Sequence, residues 1–429
     1  MPLMITVSHR CNHGSCSPRH ERFDRQGSPP LSNASRPARA LDKIRVLDMS
    51  RVLAGPWATQ LLADLGADVI KVERPGLGDD TRTWGPPWFT ADDGRRESTY
   101  FVSTNRGKRS IAVDIADPRG AQLVATMATE ADVLVENFKV GDLKRYGLDY
   151  TTLAARNPRL IYCSISGFGQ EGPYAALPGY DFIAQAMGGM MSLTGEPDGA
   201  PVKTGGALAD VMTGLYACNG ILAALFQREQ SGRGQHVTTC LLDVQIAALA
   251  NQASGYFATQ RNPQRTGNAH PSIVPYQSFR TADGVIAIAV GNDSQFRTLC
   301  QVLKAPQLAR DSRFATNTAR VEHRGILIPL LQNTLMRASS RHWIDQLTAA
   351  GVPAGPVNTL AEVFADPHVV QRELKISMPH TALGNVPGVA CPVRLSDSPP
   401  RTDRGPPALD EHGEQIRREV TTGDNLDKL

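Results

Sequence analysis

Asp210 is the residue of this chain best placed to do chemistry. It lies in GGALADVMTGLYACNGILAALF (205–226), where Gly205 and Gly206 precede an apolar segment that reads as a buried helix. A carboxylate in the first helical turn sits in the positive end of the helix dipole, beside backbone N–H groups that lack intrahelical partners. That place is expected to keep Asp210 ionised. Donors around Gly205 or the start of the helix would then stabilise an oxyanion if the carboxylate attacks a carbonyl. Taken alone, an aspartate at this point also reads as an ordinary N-cap.

A second set of residues points to an anionic ligand. Arg74, Lys108, Arg109 and Arg145 fall in VERPGLGDDTR (72–82), NRGKRS (105–110) and KRYG (144–147), with Lys139 and Lys144 close by. Each alone reads as a solvated surface charge. Collected on one rim, they would suit a ligand with several phosphates. The string GFGQEG (167–172) imitates a dinucleotide fingerprint, but Pro173 and AALPGYD follow it where a helix is required. It reads instead as a loop at the carboxyl ends of strands.

The elements that must position these residues alternate. IRVLDMS (44–50), DVIKVE (68–73), SIAVDI (110–115), DVLVEN (132–137) and LIYCSIS (160–166) read as buried strands, with helices over AGPWATQLLADLGA and 118–130. Such alternation predicts an α/β fold with a mostly parallel sheet covered on both faces. The expected organisation is a disordered extension over 1–41, a large Rossmann-like domain over 42–240, and a helical linker over 241–265. A smaller α+β domain over 266–330 and a return segment over 331–429, completing the large domain, follow.

Composition excludes several classes. A net charge of +3 is too small to argue for a nucleic-acid partner, and 41% hydrophobic with 20% charged residues describes an ordinary globular chain. The stretch 211–227 comes nearest to a membrane span, but Thr213, Asn219 and two glycines interrupt it, so no membrane partner is expected. Seven cysteines, odd in number and mostly in apolar runs, suggest buried thiols in a reducing compartment. Cys11 and Cys16, with His9, His13 and His20, fit no standard zinc spacing, so no metal site is expected. The location expected is cytoplasmic, or the mitochondrial matrix if residues 1–41 are a transit peptide.

LAGP (53–56), GADVIKVERP (66–75), the Asn105–Ser110 segment, ENF (136–138), GYD (179–181), GGALAD (205–210) and GVPAGPV (351–357) occur in this order. In them the chain resembles the family III CoA-transferases from about residue 42 to the GEQI near 416. The resemblance places the catalytic aspartate on Asp210. It places contacts to CoA on Arg74, Lys108, Asn137, Phe138 and Arg145. It also implies a two-lobe subunit in an interlocked homodimer, with CoA thioesters as substrates and no permanently bound cofactor.

The resemblance implies a reaction as well. Asp210 attacks an acyl-CoA thioester to give a mixed anhydride, and CoA thiolate then converts it to an aspartyl-CoA thioester. An acceptor acid reverses these steps. The strings RVLAGP, GDDTRTWGPP and NAHPSIVPYQ (268–277) look most like the succinyl-CoA:glutarate branch. A dicarboxylate needs a cationic partner, for which Arg51 or Arg82 would suit. Tyr180 and Asp181 would line the acyl pocket, and His270 would reach it from the small domain. Three alternatives stay open: an acyl-CoA racemase of the same superfamily, a formyl- or oxalyl-type transferase, and a CoA-binding scaffold. The racemase needs a histidine where this chain has Tyr180, and the formyl-type enzymes carry a glycine run that is absent here.

Overall fold

A computed structural model describes residues 38–422. The expectations for the extension and its Cys/His cluster therefore lie outside the described residues, except for 38–41. Six parallel strands form the main sheet: β1 (Arg45–Asp48), β2 (Asp68–Glu73), β5 (Lys108–Ala112), β6 (Val133–Glu136), β7 (Ile161–Ser166) and β8 (His236–Cys240). Between β2 and β5 the chain makes a short hairpin of β3 (Trp88–Thr90) and β4 (Arg96–Ser98). The sheet order is β5-β2-β1-β6-β7-β8, the order of the Rossmann fold predicted from the sequence.

The strands are Val/Ile/Leu-rich because both faces are covered. On one face, Val46, Val133 and Ile161 pack under α1 (Ala54–Asp64) and the helix Leu208–Ser231. On the other, Leu47, Leu134 and Tyr162 meet Val124 and Met127 of the helix Pro118–Glu130 and Ile416 near the C-terminus. Ile416 thus shows the chain returning to the large sheet.

The helix Leu208–Ser231 is long and apolar enough to cross a membrane by length and composition. This amends the reading that no segment comes up to that length. Here Ala217, Ile221 and Ala224 of this helix are buried in the core beside the sheet.

A separate core surrounds an antiparallel sheet of β9 (Tyr276–Arg280), β10 (Val285–Ala289) and β11 (Ala354–Pro356). Phe279, Ile286 and Phe296 pack there with Leu335, Trp343, Leu347 and Val352. The stretch from 331 to 352 therefore belongs to this core, and not to the segment that completes the large domain. The amphipathic helix Ser340–Ala349 finds its apolar partners on the small sheet. A final hairpin, β12 (Lys375–His380) with β13 (Gly384–Val389), packs Met378 and Val386 on Val102.

Candidate active site

The strand order reverses between β1 and β6, and the loops leaving these strands meet. The side chain of Asn137, just after β6, grips the backbone of Arg51, just after β1. Arg51 N–H donates to Asn137 Oδ1 (2.9 Å), and Asn137 Nδ2 donates to the Arg51 carbonyl (2.7 Å). Open α/β sheets place their ligands at such a switch point.

A cavity of about 240 Å³ opens beside this junction, lined by Arg51–Ala54, Asn137, Phe138, Gly167, Tyr180 and Asp210. A second, of about 340 Å³, is lined by Arg74, Phe138, Arg145 and Tyr146, and Arg51 and Phe138 border both. The Arg51 guanidinium lies 5.4 Å from the Phe138 ring centroid. Its Nη1 donates to Asp80 Oδ2 (3.0 Å), and Arg74 approaches the other Asp80 oxygen at 3.6 Å.

Asp210 is the third residue of its helix, so it is not the cap; Ala207 holds that position and makes no side-chain cap bond. The cap comes from Asp181, whose Oδ1 accepts from the N–H groups of Ala209 (2.8 Å) and Asp210 (3.3 Å). Asp181 Oδ2 accepts from Gln185 Nε2 (2.7 Å), and Gln185 Oε1 accepts from the N–H and hydroxyl of Thr204. These two helix-start donors, expected to serve an oxyanion, are committed to Asp181. Gly167 comes against Gly179, where a Cβ would fall 2.6 Å from the Gly179 Cα. Gly167, the first glycine of GFGQEG, therefore stands at the edge of the cavity, in a loop that leaves the carboxyl end of β7.

Burial, and then the like charge of Asp181, push the Asp210 carboxyl up to about 7. This corrects the expectation that the helix dipole keeps it ionised. Desolvation outweighs a dipole whose N–H ends already face another carboxylate. Tyr100 feels the same site, its phenol pushed up to about 12 by burial and then by the charge of Asp210. Sequence reasoning missed Tyr100, which lies in a short helix (Thr99–Thr104) without a distinguishing motif.

Several expected site residues are placed elsewhere. Lys108 is fully buried, its Nζ bonded to Asp48 Oδ2 (2.8 Å), Asn105 Oδ1 (2.8 Å) and the Pro56 carbonyl (3.0 Å). Arg109 pairs with Asp68 and Glu419. Both residues open β5 instead of following a strand, so neither joins Arg74 and Arg145 on the carboxyl-end rim. Arg82 makes a bidentate pair with Glu73 (2.8 Å for each bond) and lies over the Phe101 ring. His270 sits in the loop before β9, its N–H bonded to the Tyr276 carbonyl, and borders neither cavity. Among the described residues, no histidine lines the Asp210 cavity.

The model of CoA-transferase family III matches residues 41–413. The chain is a family III CoA-transferase. It is 50% identical to the succinate–glutarate CoA-transferase of Agrobacterium fabrum over 92% of this chain and 96% of that protein. It is 44% identical to the succinyl-CoA:glutarate CoA-transferase of Homo sapiens, covering 90% of this chain and 87% of that one. A CAIB/BAIF family protein from Brucella suis shares the fold with a TM-score of 0.81 and 50% identity, over 89% of the transferase and 99% of that structure.

Proposed function

We propose that this transferase moves CoA from succinyl-CoA to a dicarboxylic acid such as glutarate, with Asp210 carrying the acyl group and then CoA. The observation that carries the reading is the shared cavity of Asp210 and Arg51. A nucleophilic carboxylate faces a space bordered by a half-exposed guanidinium, which suits an acyl chain bearing a free carboxylate at its far end. Arg82, the other candidate, is 8% exposed at its side chain and held by both Glu73 oxygens, whereas Arg51, 43% exposed, gives Asp80 a single bond. The relatives named for succinate or succinyl-CoA and glutarate support the same acids.

The adjoining cavity, with Arg74, Arg145 and Phe138, suits the phosphates and the adenine of CoA. The thioester arm would pass Phe138 to reach Asp210. Asp210 attacks the thioester carbonyl and the C–S bond breaks, giving a mixed anhydride and CoA thiolate. The thiolate attacks the aspartyl carbonyl and succinate leaves with the bridging oxygen. Glutarate attacks the aspartyl-CoA thioester, and the released thiolate takes the glutaryl group. Each intermediate conserves the activation of the thioester, so no ATP is consumed. An aspartate with a carboxyl near 7 is a stronger base, and hence a stronger nucleophile, than an ordinary exposed one. The start of α1, at Leu53 and Ala54 on the cavity wall, can supply N–H groups to the oxyanion.

A homodimer belongs to the same proposal. Phe226 and Phe257 are 72% and 71% exposed, and Leu215, Tyr216 and Ile246 are exposed with them. Apolar area on this scale suits coverage by a second copy. The test of function is mass analysis of the acyl-CoA formed from succinyl-CoA and a panel of acids. Glutaryl-CoA from the unsubstituted chain, absent with Asp210→Ala, supports the reading; no transfer to any dicarboxylate overturns it.

A further inference from the structure

Val52 borders the Asp210 cavity with a φ of +72°, a left-handed conformation that a β-branched side chain disfavours. Three side chains from other parts of the fold hold the turn around it. Asn137 binds both backbone groups of Arg51. The buried Lys71 donates to the Ser50 carbonyl (2.9 Å). Asp79 accepts the Val52 N–H at 3.2 and 3.3 Å through its two oxygens.

Lys71 and Asp79 also pair with each other at 2.9 Å, and both side chains are wholly buried. Thr81 fixes Asp79 further, donating from its N–H (3.0 Å) and its hydroxyl (2.8 Å). A buried ion pair is a costly way to fill a core, and apolar residues of similar size would commonly serve stability as well. A strained β-branched turn is costly too. Both costs fall on one segment, and that segment carries Arg51 and leads into α1 opposite Asp210. The charges give the turn a single geometry that neither local propensity nor apolar packing would select.

We propose that Lys71 and Asp79 are positioning residues for the transfer reaction, clamping Val52 in its left-handed conformation so that Arg51 and the start of α1 are held against Asp210. The clamp rests on the reading of the Asp210 cavity as the transfer site. Neither residue needs to touch the acyl group. Their effect passes through the backbone of residues 50–52.

Glycine adopts a positive φ without help, and this separates positioning from mere structural support. The experiment measures kcat for succinyl-CoA to glutarate transfer with Asp79→Asn alone, Val52→Gly alone, and the two combined, with a melting curve for each. Asp79→Asn in the Val52 background is expected to lower kcat by about ten- to a hundredfold. In the Val52→Gly background the same change is expected to cost only about twofold, a coupling seen as non-additivity in the cycle. Equal losses in both backgrounds, or none in either, would overturn the clamp. Thr81→Val removes one hydrogen bond to Asp79 without unpairing a charge, and serves if Asp79→Asn does not fold. It should show the same dependence on residue 52 at smaller amplitude, and an equal effect in both backgrounds overturns the clamp likewise. An unsubstituted chain that transfers nothing would instead overturn the proposed function, and the clamp with it.

Discussion

Asp181 caps the helix that carries Asp210, its Oδ1 bonded to the Asp210 N–H itself at 3.3 Å. The charge of Asp181 therefore adds to burial in raising the Asp210 carboxyl, 29 residues away in sequence. Asp181→Asn keeps an oxygen for the two N–H groups but removes the charge that helps raise the Asp210 carboxyl. In the proposed reaction Asp210 attacks as the carboxylate, so a lower pKa would extend activity to lower pH. The acid limb of kcat/KM for succinyl-CoA should move down by about one pH unit. A limb that stays in place would mean that the Asp181 charge does not reach Asp210.

The same raised pKa has a cost in stability. Asp210 rises from an ordinary 3.8 to about 7 in the fold. Between those values the folded chain holds a proton that the unfolded chain has released, so stability falls as pH rises through the window. Asp210→Asn should therefore melt higher than the unsubstituted chain at pH 8, by roughly 1–4 kcal/mol of stability. The advantage should vanish toward pH 4, where both side chains are neutral. Melting curves across that range check it, and a gain independent of pH would point to packing instead.

Arg51 and Arg82 should separate cleanly. Arg51→Met removes a cation that borders the cavity, and is expected to raise KM for glutarate by about ten- to a hundredfold. Butyrate, with no second carboxylate, should be little affected. Arg82→Met leaves Glu73 buried without its bidentate partner, and should cost about 3–5 kcal/mol of stability. Steady-state kinetics with both acids, beside urea unfolding of both variants, test the division.

Gly214 lies one turn beyond Asp210, where a Cβ would fall 2.7 Å from the Ala54 carbonyl and 3.0 Å from Trp57. The close crossing of α1 over the Asp210 helix depends on it. Gly214→Ala should cost about 1–3 kcal/mol and lower kcat by displacing the 51–54 turn. Full activity together with full stability would show that the crossing can relax.

Much of this was legible before the structure, and the exceptions share a cause. Alternating apolar runs announced the strands of the parallel sheet, and the stretch after Asp210 announced a helix, but only one side of it is buried and Leu215, Tyr216 and Phe226 are exposed. Lys108 misled because a buried lysine looks in sequence like an exposed one. Its desolvation is offset by Asp48, 60 residues earlier, together with Asn105 and the Pro56 carbonyl. Arg82 was indistinguishable from Arg51 until Glu73 was seen to occupy it. The boundary near 330 failed because Trp343 and Leu347 carry an amphipathic pattern that fits either core. Asp181, expected to line the acyl pocket, does not border that cavity and caps the Asp210 helix instead, and a cap supplied from a distant helix leaves no local signature. Periodicity reports which side chains are buried; it does not report their partners.

Covalent attachment of Asp210 during the proposed transfer can be read by isotope transfer. In the proposed sequence the bridging oxygen of the second anhydride comes from the acceptor acid and remains on Asp210 when glutaryl-CoA leaves. The transferase would be turned over with succinyl-CoA and glutarate labelled with oxygen-18 in its carboxylates. It would then be digested and the peptide containing Asp210 weighed. Heavy oxygen in that peptide, located at Asp210 by fragmentation and absent when succinyl-CoA is withheld, is the expected result. Glutaryl-CoA formed at the normal rate with no label in the peptide would contradict it.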